Sequence, residues 1–340
     1  MLASSYLKWS ALLFVALCLV GVMSARITGQ VSQQPELYLA KDDPVVSERF
    51  SQHLTKLEPQ EKVKVWVFFT DKGFVDVESY RSAVTQAENA LTTKAARRRA
   101  KTMKHGLVDF RDLPVNQAYI NRIMDFEAKF RQRSRWLNAA SFEVPVGEVE
   151  KISELSFVRS IKPVLTGKRK PIRIEAPPDE PLQGKGMFDL NYGASYGQLQ
   201  QLNIPAVHNL GYYGQGVLVC MLDTGFRKDH QAFQLAYSEG RVLAEWDFVN
   251  NDGNTQNEVG DPSSSHNHGT LTWSALGGAS AGYVYGPAYG ADFIIAKTED
   301  VSMEEPIEED NWEAGMEWAD SIGAGVISSS LAYIDWYFYS

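Results

Sequence analysis

The chain has 340 residues, 44% of them hydrophobic and 22% charged, with a formal net charge of −9. That length suits two domains of ordinary size, and that balance excludes a disordered chain. The charge is uneven: residues 61–170 hold 22 Lys/Arg against 13 Asp/Glu, whereas residues 201–340 hold 4 against 20. A basic module followed by an acidic one reads as two parts that attract each other. Nucleic-acid binding by the basic half is the competing reading, and the acidic half would repel phosphates, so no nucleic-acid partner is expected.

In chain order, residues 1–25 come first. Lys8 supplies a positive start, Ala11 to Met23 is apolar, and Ser24-Ala25 supplies small residues for cleavage. This is the build of a secretory signal peptide, and the apolar run is short for a membrane span. It predicts a secreted chain, extracellular or periplasmic, with no membrane attachment after cleavage; an uncleaved anchor is the alternative. Of the two cysteines, Cys18 lies in this segment and Cys220 stands alone, which excludes a disulfide framework and makes Cys220 a small core residue.

Residues 26–60 are polar and read as a weakly ordered lead-in. Lys62 to Asp71 alternates and then runs apolar, a strand. Residues 76–104 are helical in character, with Arg97-Arg98-Arg99 taken as a solvated face. Val115 to Arg133, after Pro114, carries Ile120, Ile123, Met124, Phe126 and Phe130 at helical spacing. A strand at Trp136–Val144, a short helix at Val146–Leu155 and a strand at Val158–Val164 complete the pattern. It predicts a small α+β sandwich of the ferredoxin-like kind over residues 61–166. Residues 167–190 are charged and proline-rich, an exposed and cleavable linker.

The second domain, residues 191–340, starts with a short helix at Gln198–Val207 broken at Pro205. Strands are predicted at Val217–Leu222, Val242–Phe248, Asp292–Thr298 and Val326–Leu331. Helices are predicted at His268–Ala279 and Glu304–Ile322, the latter with Trp312, Met316 and Ala319 on one face and acidic residues in its first turns, where the macrodipole favours them. The alternation predicts an α/β domain: a parallel sheet with helices on both faces.

Asp223 is the first charged residue after the apolar run Val217–Leu222, so it sits where a buried strand leaves the core. Ligands bind at such strand ends in open α/β sheets. His268 stands where the polar loop after residue 250 meets a helix. A strand-end carboxylate accepting its Nδ1–H would fix the tautomer, the orienting half of a nucleophile–base–acid triad. Singly, each residue has a plainer reading: a turn cap for Asp223, a loop histidine for His268. His266 and His268 could also be two metal ligands, but zinc needs further ligands at suitable spacing. Asp223-Thr224-Gly225 matches an aspartic-peptidase motif too. That mechanism needs two carboxylates sharing a proton, and the chain has a single Asp-Thr-Gly.

Several segments together resemble the subtilisin-like serine peptidases. Gly214 to Phe226, followed by His230, looks like the family's aspartate motif, and His268-Gly269-Thr270 with Gly277-Gly278 like its histidine motif. Gly286 to Asp292, running into Ile294-Ile295-Ala296-Lys297, resembles the segment before the next core strand. Val326 to Leu331 resembles the strand that pairs with substrate. The basic α+β module resembles the pro-region, which chaperones folding and plugs the active site as an intramolecular partner. The resemblance implies that Asp223 orients and stabilises the imidazolium and that His268 is general base and then acid. It also implies that Ser330, Leu331 and Ala332 hold an extended peptide or protein substrate by backbone pairing. The family usually has Gly at the position of Ala332, where a methyl could narrow the primary specificity pocket.

The family's triad runs Asp, His, Ser, with the serine in a Gly-Thr-Ser context roughly 150 residues after the histidine. Here 72 residues follow His268, and no Gly-Thr-Ser occurs among them. Ser328, Ser329 and Ser330 fall in the substrate strand and are not substitutes. The oxyanion-hole asparagine would also lie beyond Ser340. The expectation is the N-terminal part of a longer precursor, with a non-catalytic pseudo-peptidase or binding module as the alternative. No cofactor is required; Ca²⁺ is the one structural ion considered, because the acidic loop Asn250–Asp261 has oxygens for it, and a solvated surface loop is the plainer reading.

Overall fold

A computed structural model of the chain describes residues 38–164, 166–167, 190–301 and 307–330. The predicted signal segment, the start of the lead-in, the linker from 168 to 189, and Leu331 and Ala332 lie outside those residues.

The first domain is built from α1 (Glu48–Leu54), β1 (Lys62–Phe69), α2 (Val77–Asn89), α3 (Thr93–Arg99), α4 (Gln117–Met124), β2 (Lys129–Ser134), β3 (Ala139–Pro145), α5 (Val149–Ser153) and β4 (Val158–Pro163). The strands lie in the order β2-β3-β1-β4, and every pairing is antiparallel. This is the ferredoxin-like α+β order. Val65 sits opposite Phe142 and Val67 opposite Ala140 and Ile161, so one face of the sheet is apolar and packs on Ile120, Ile123 and Ile152 from the helices. Trp66 and Phe68 fall on the opposite face with Ala139 and Val164, as the two-residue period of a strand demands.

Three expectations are corrected here. The helix expected over Val115–Arg133 ends at Met124; Glu127 turns the chain at φ 57°, and Lys129–Ser134 is a strand. Phe130 keeps helical spacing from Phe126, yet it is held opposite Phe142, with the rings edge-to-face at 6.0 Å. The expected strand start at Trp136 is a turn instead, closed by Asn138 at φ 49°, a conformation asparagine tolerates. The arginine patch is solvated only in part: Arg97 is exposed, whereas Arg99 is buried and pairs with Asp112 at 2.7 Å and with Asp320.

A two-residue β5 (Thr166–Gly167) stands where the first domain meets the linker, and the second domain contributes α6 (Tyr196–Gln201), α7 (Ile204–Asn209), β6 (Leu218–Asp223), α8 (Gln234–Ser238), β7 (Val242–Asp247), α9 (Asn267–Gly277), β8 (Ala279–Ser280), β9 (Val284–Tyr285), β10 (Asp292–Lys297), β11 (Ile307–Glu308), α10 (Glu309–Ile322) and β12 (Val326–Ser329). Pro205 does not break a helix; it stands in the first turn of α7, where its missing N–H has no intrahelical partner to lose. The main sheet has the order β12-β6-β10-β7 and is wholly parallel. All six residues of β6 are buried. Val219 and Met221 point to one face with Phe233, Trp273, Phe293 and Ile295. Leu218, Cys220 and Leu222 point to the other with Ile294, Ala296 and Ala319. Trp273 of α9, fully buried, stacks on Phe233 at 3.7 Å. Helices cover both faces, and each large apolar side chain so buried contributes about 1.5–3 kcal/mol.

Helix α10 joins the two domains. Trp312, Met316 and Ala319 face the parallel sheet. Asp310, Glu313, Glu317 and Asp320 recur at intervals of three and four, a second stripe along the same helix. That acidic stripe meets the first domain. Arg131 Nε donates to Asp310 at 2.9 Å and Ser141 to the same carboxylate at 2.7 Å. Trp136 N–H donates to Glu317 at 2.8 Å. Arg98, Arg99 and Arg135 all pair with Asp320. The uneven charge of the chain is therefore used internally, across this interface.

Candidate active site

Strand β6 carries Asp223 to the carboxyl end of the sheet, opposite Lys297 of β10. Its neighbours fix its direction. Thr224 N–H donates to Oδ1 at 2.8 Å, Thr272 Oγ1 donates to Oδ2 at 2.9 Å, and the Asp223 carbonyl accepts from Thr298 N–H at 3.0 Å. The residue is fully buried, and the donors from Thr224 and Thr272 take the place of water around its carboxylate.

Helix α9 brings the histidine. His266 is its N-cap residue and His268 lies in the first turn. The approach to β6 depends on glycine: a Cβ on Gly269 would fall 2.2 Å from the Gly225 carbonyl oxygen and 3.1 Å from Asp223 Cβ. Gly225 itself has φ 129°, outside the range of an ordinary side chain. With both glycines in place, His268 Nδ1 lies 2.7 Å from Asp223 Oδ1. A carboxylate only accepts, so Nδ1 carries the proton, and Nε2 of the neutral ring holds the lone pair. No described residue hydrogen-bonds Nε2. The ring is largely covered, its side chain 14% exposed, which leaves the Nε2 edge as the accessible basic atom.

His266 points elsewhere. Asn257 N–H donates to its Nδ1 at 3.4 Å, and its own backbone N–H donates to Asn257 Oδ1 at 3.0 Å. Burial, reinforced by the Arg227 charge, holds its imidazole below the ordinary range, so it serves as a neutral anchor for the polar loop. The two histidines are thus not brought together as a ligand pair. Among the described residues, no group of three or more His, Cys, Asp or Glu is arranged to hold a metal ion.

The oxygens of the Asn250–Asp261 loop are engaged by the protein itself. Asp252 Oδ1 accepts from Asn254 N–H at 2.8 Å, and Asp261 Oδ2 accepts from Glu258 N–H at 3.0 Å. Asp261 also pairs with Lys297 at 3.0 Å, and Asp247 pairs with that lysine at 2.9 Å. Lys297 is buried, which by itself would lower its basicity; hydrogen bonds and charge from Asp247 and Asp261 outweigh that and hold the ammonium above its ordinary range. It locks the loop beside the strand end that bears Asp223.

Of the remaining sequence-predicted residues, Ser330 follows β12 and is exposed. Strand β12 lies parallel to β6, with Ser329 opposite Leu222. Leu331 and Ala332 are not among the described residues. Two functional contributors escaped sequence reasoning, Thr272 and Lys297. Thr272 was within reach of it, since it follows His268 by four positions in a predicted helix and so shares its face.

Residues 64–176 match the family model of the peptidase S8 propeptide domain of Bacteroidota, and residues 214–335 match that of the subtilase family. No curated protein matches the chain. Fervidolysin from Fervidobacterium pennivorans, described as a keratinolytic enzyme related to subtilisin, is 16% identical with a TM-score of 0.48, over 86% of this chain and 37% of its own. The CspB protease of Clostridium perfringens is 23% identical with a TM-score of 0.33, over 40% of this chain and 33% of its own. The epidermin leader peptide processing serine protease from Staphylococcus aureus is 11% identical with a TM-score of 0.44, over 79% of this chain and 50% of its own. The chain spans between a third and a half of the length of these solved proteins.

Proposed function

We propose that this chain, whose residues 64–176 match a peptidase S8 propeptide domain and 214–335 the subtilase family, is the leading part of a secreted serine endopeptidase precursor in which Asp223 and His268 are two members of the triad. The observation that carries this reading is the 2.7 Å pairing of His268 Nδ1 with Asp223 Oδ1, with Nε2 left open. In the proposed reaction a serine hydroxyl gives its proton to Nε2 as its oxygen attacks the peptide carbonyl. The imidazolium so formed is stabilised by the Asp223 carboxylate, and Nε2 then returns the proton to the leaving amine. The substrate strand would pair with the backbone from Ser330 to Ala332. Secretion rests on the composition of residues 1–25; among the described residues no helix is long and apolar enough to cross a membrane. The propeptide domain is the expected intramolecular partner, held on α10 until the linker is cut.

The nucleophile is proposed to lie in sequence beyond Ser340, because no Gly-Thr-Ser follows His268 in these 340 residues. Reading the gene past the Ser340 codon tests this. An in-frame extension containing Gly-Thr-Ser, whose product hydrolyses a peptide and loses that activity on Asp223→Asn, supports the proposal. A stop codon there, or turnover by the 340-residue chain blocked by a serine-directed inhibitor, refutes it.

A further inference from the structure

We infer that Thr272 is a positioning residue for the Asp223–His268 pair, acting through Asp223 Oδ2 to hold the carboxylate in the rotation that presents Oδ1 to the imidazole. The inference rests on the reading of that pair as part of a catalytic triad.

Asp223 Oδ1 is doubly engaged, by Thr224 N–H at 2.8 Å and by His268 Nδ1 at 2.7 Å. Oδ2 has Thr272 Oγ1 at 2.9 Å. The Thr224 hydroxyl is the nearest alternative by sequence, yet its Oγ1 is buried without a hydrogen-bond partner. Among the described residues, Thr272 thus supplies the hydrogen bond to Oδ2. Without it, a fully buried carboxylate oxygen would lack a donor, and Oδ1 and Oδ2 would compete for the two donors that remain.

The placement follows from helix geometry. His268 and Thr272 stand one turn apart on α9, so both side chains project from the same face toward the end of β6. Gly269, between them, lets that face approach Asp223. The plainer role for a helical threonine is to donate to a carbonyl one turn back, and the Gly269 carbonyl is available at 3.1 Å. A hydroxyl has one proton. The ionised carboxylate is nearer and is the stronger acceptor, so the proton goes to Asp223. This is what separates a positioning role from an ordinary helical bond.

The test is the tautomer of His268, read by ¹⁵N NMR of the full chain labelled at histidine, above the pH where the ring is neutral. Wild type is expected to hold the proton on Nδ1. Thr272→Val keeps the shape and removes the donor, and is expected to raise the fraction protonated on Nε2 at least threefold, while Thr272→Ser restores the wild-type ratio. An unchanged tautomer ratio in Thr272→Val, or an equal rise in Thr272→Ser, overturns the inference. Asp223→Asn separates this failure from failure of the triad reading. If Asp223→Asn moves the ratio and Thr272→Val does not, only the role of Thr272 falls. If neither variant moves it, the Asp223–His268 pairing fails with it.

Discussion

Glu313 offers the sharpest test of how the two domains are held together. Its Oε1 and that of Glu317 each lie 2.7 Å from Ser134 Oγ. Ser134 Oγ already accepts Leu137 N–H at 2.9 Å and has a single proton to give. It can donate to one carboxylate only, so the other must carry a proton and donate to the hydroxyl. Glu317 is the ionised member, because Trp136 N–H and Arg135 N–H both donate to it and the Arg135 guanidinium lies beside it. Glu313 has no such support; its Oε2 is buried without a partner. Burial first, and the Glu317 charge next, push the Glu313 carboxyl up to about 9. In the unfolded chain it returns to 4.5. A carboxyl raised by folding contributes stability that is complete below about 4.5 and is lost as pH rises through about 9, at no more than about 1.4 kcal/mol per pH unit. Glu313→Gln mimics the protonated acid, since its amide can donate to Ser134. From pH 5 to 8 the variant should therefore gain stability over wild type, by up to about 4 kcal/mol at the upper end. Urea unfolding of both full chains, followed by tryptophan fluorescence, measures the difference. A difference that stays within about 0.5 kcal/mol across the window, or that shrinks with pH, refutes a shared proton at this interface.

Two further perturbations probe the same frame. Asp320→Asn strips the common partner of Arg98, Arg99 and Arg135 and is expected to cost about 3 kcal/mol in urea unfolding while reducing the salt dependence of stability; an unchanged salt dependence would speak against electrostatic docking. Gly269→Ala puts a Cβ 2.2 Å from the Gly225 carbonyl oxygen, so it should lower stability by about 1–3 kcal/mol and abolish the His268 Nδ1–H resonance paired with Asp223; a retained resonance in the folded variant would show that α9 has room to spare.

The parts of this molecule that were legible in its sequence are those whose partners are close in sequence or generic in kind. Strand β6 is buried on both faces, so an uninterrupted apolar run ending in Asp223 announces it without any knowledge of its neighbours. The segments that escaped are those whose meaning lies on the other domain. Strand β2 reads Lys-Phe-Arg-Gln-Arg-Ser, too polar for an ordinary strand, because Arg131 and Ser134 are spent on the carboxylates of α10. Arg98 looks like a solvated basic residue, and its partner Asp320 stands 222 positions away. The helix dipole accounts for the acidic residues in the first turn of α10 but not for Glu317 or Asp320. Each misreading has one cause. A charged side chain on an amphipathic element looks solvent-facing until the opposite charge is placed against it, and local periodicity carries no information about that placement. The regional charge balance does carry it. A basic half and an acidic half on one chain announce an internal interface, and only the identities of the pairs had to wait for the structure.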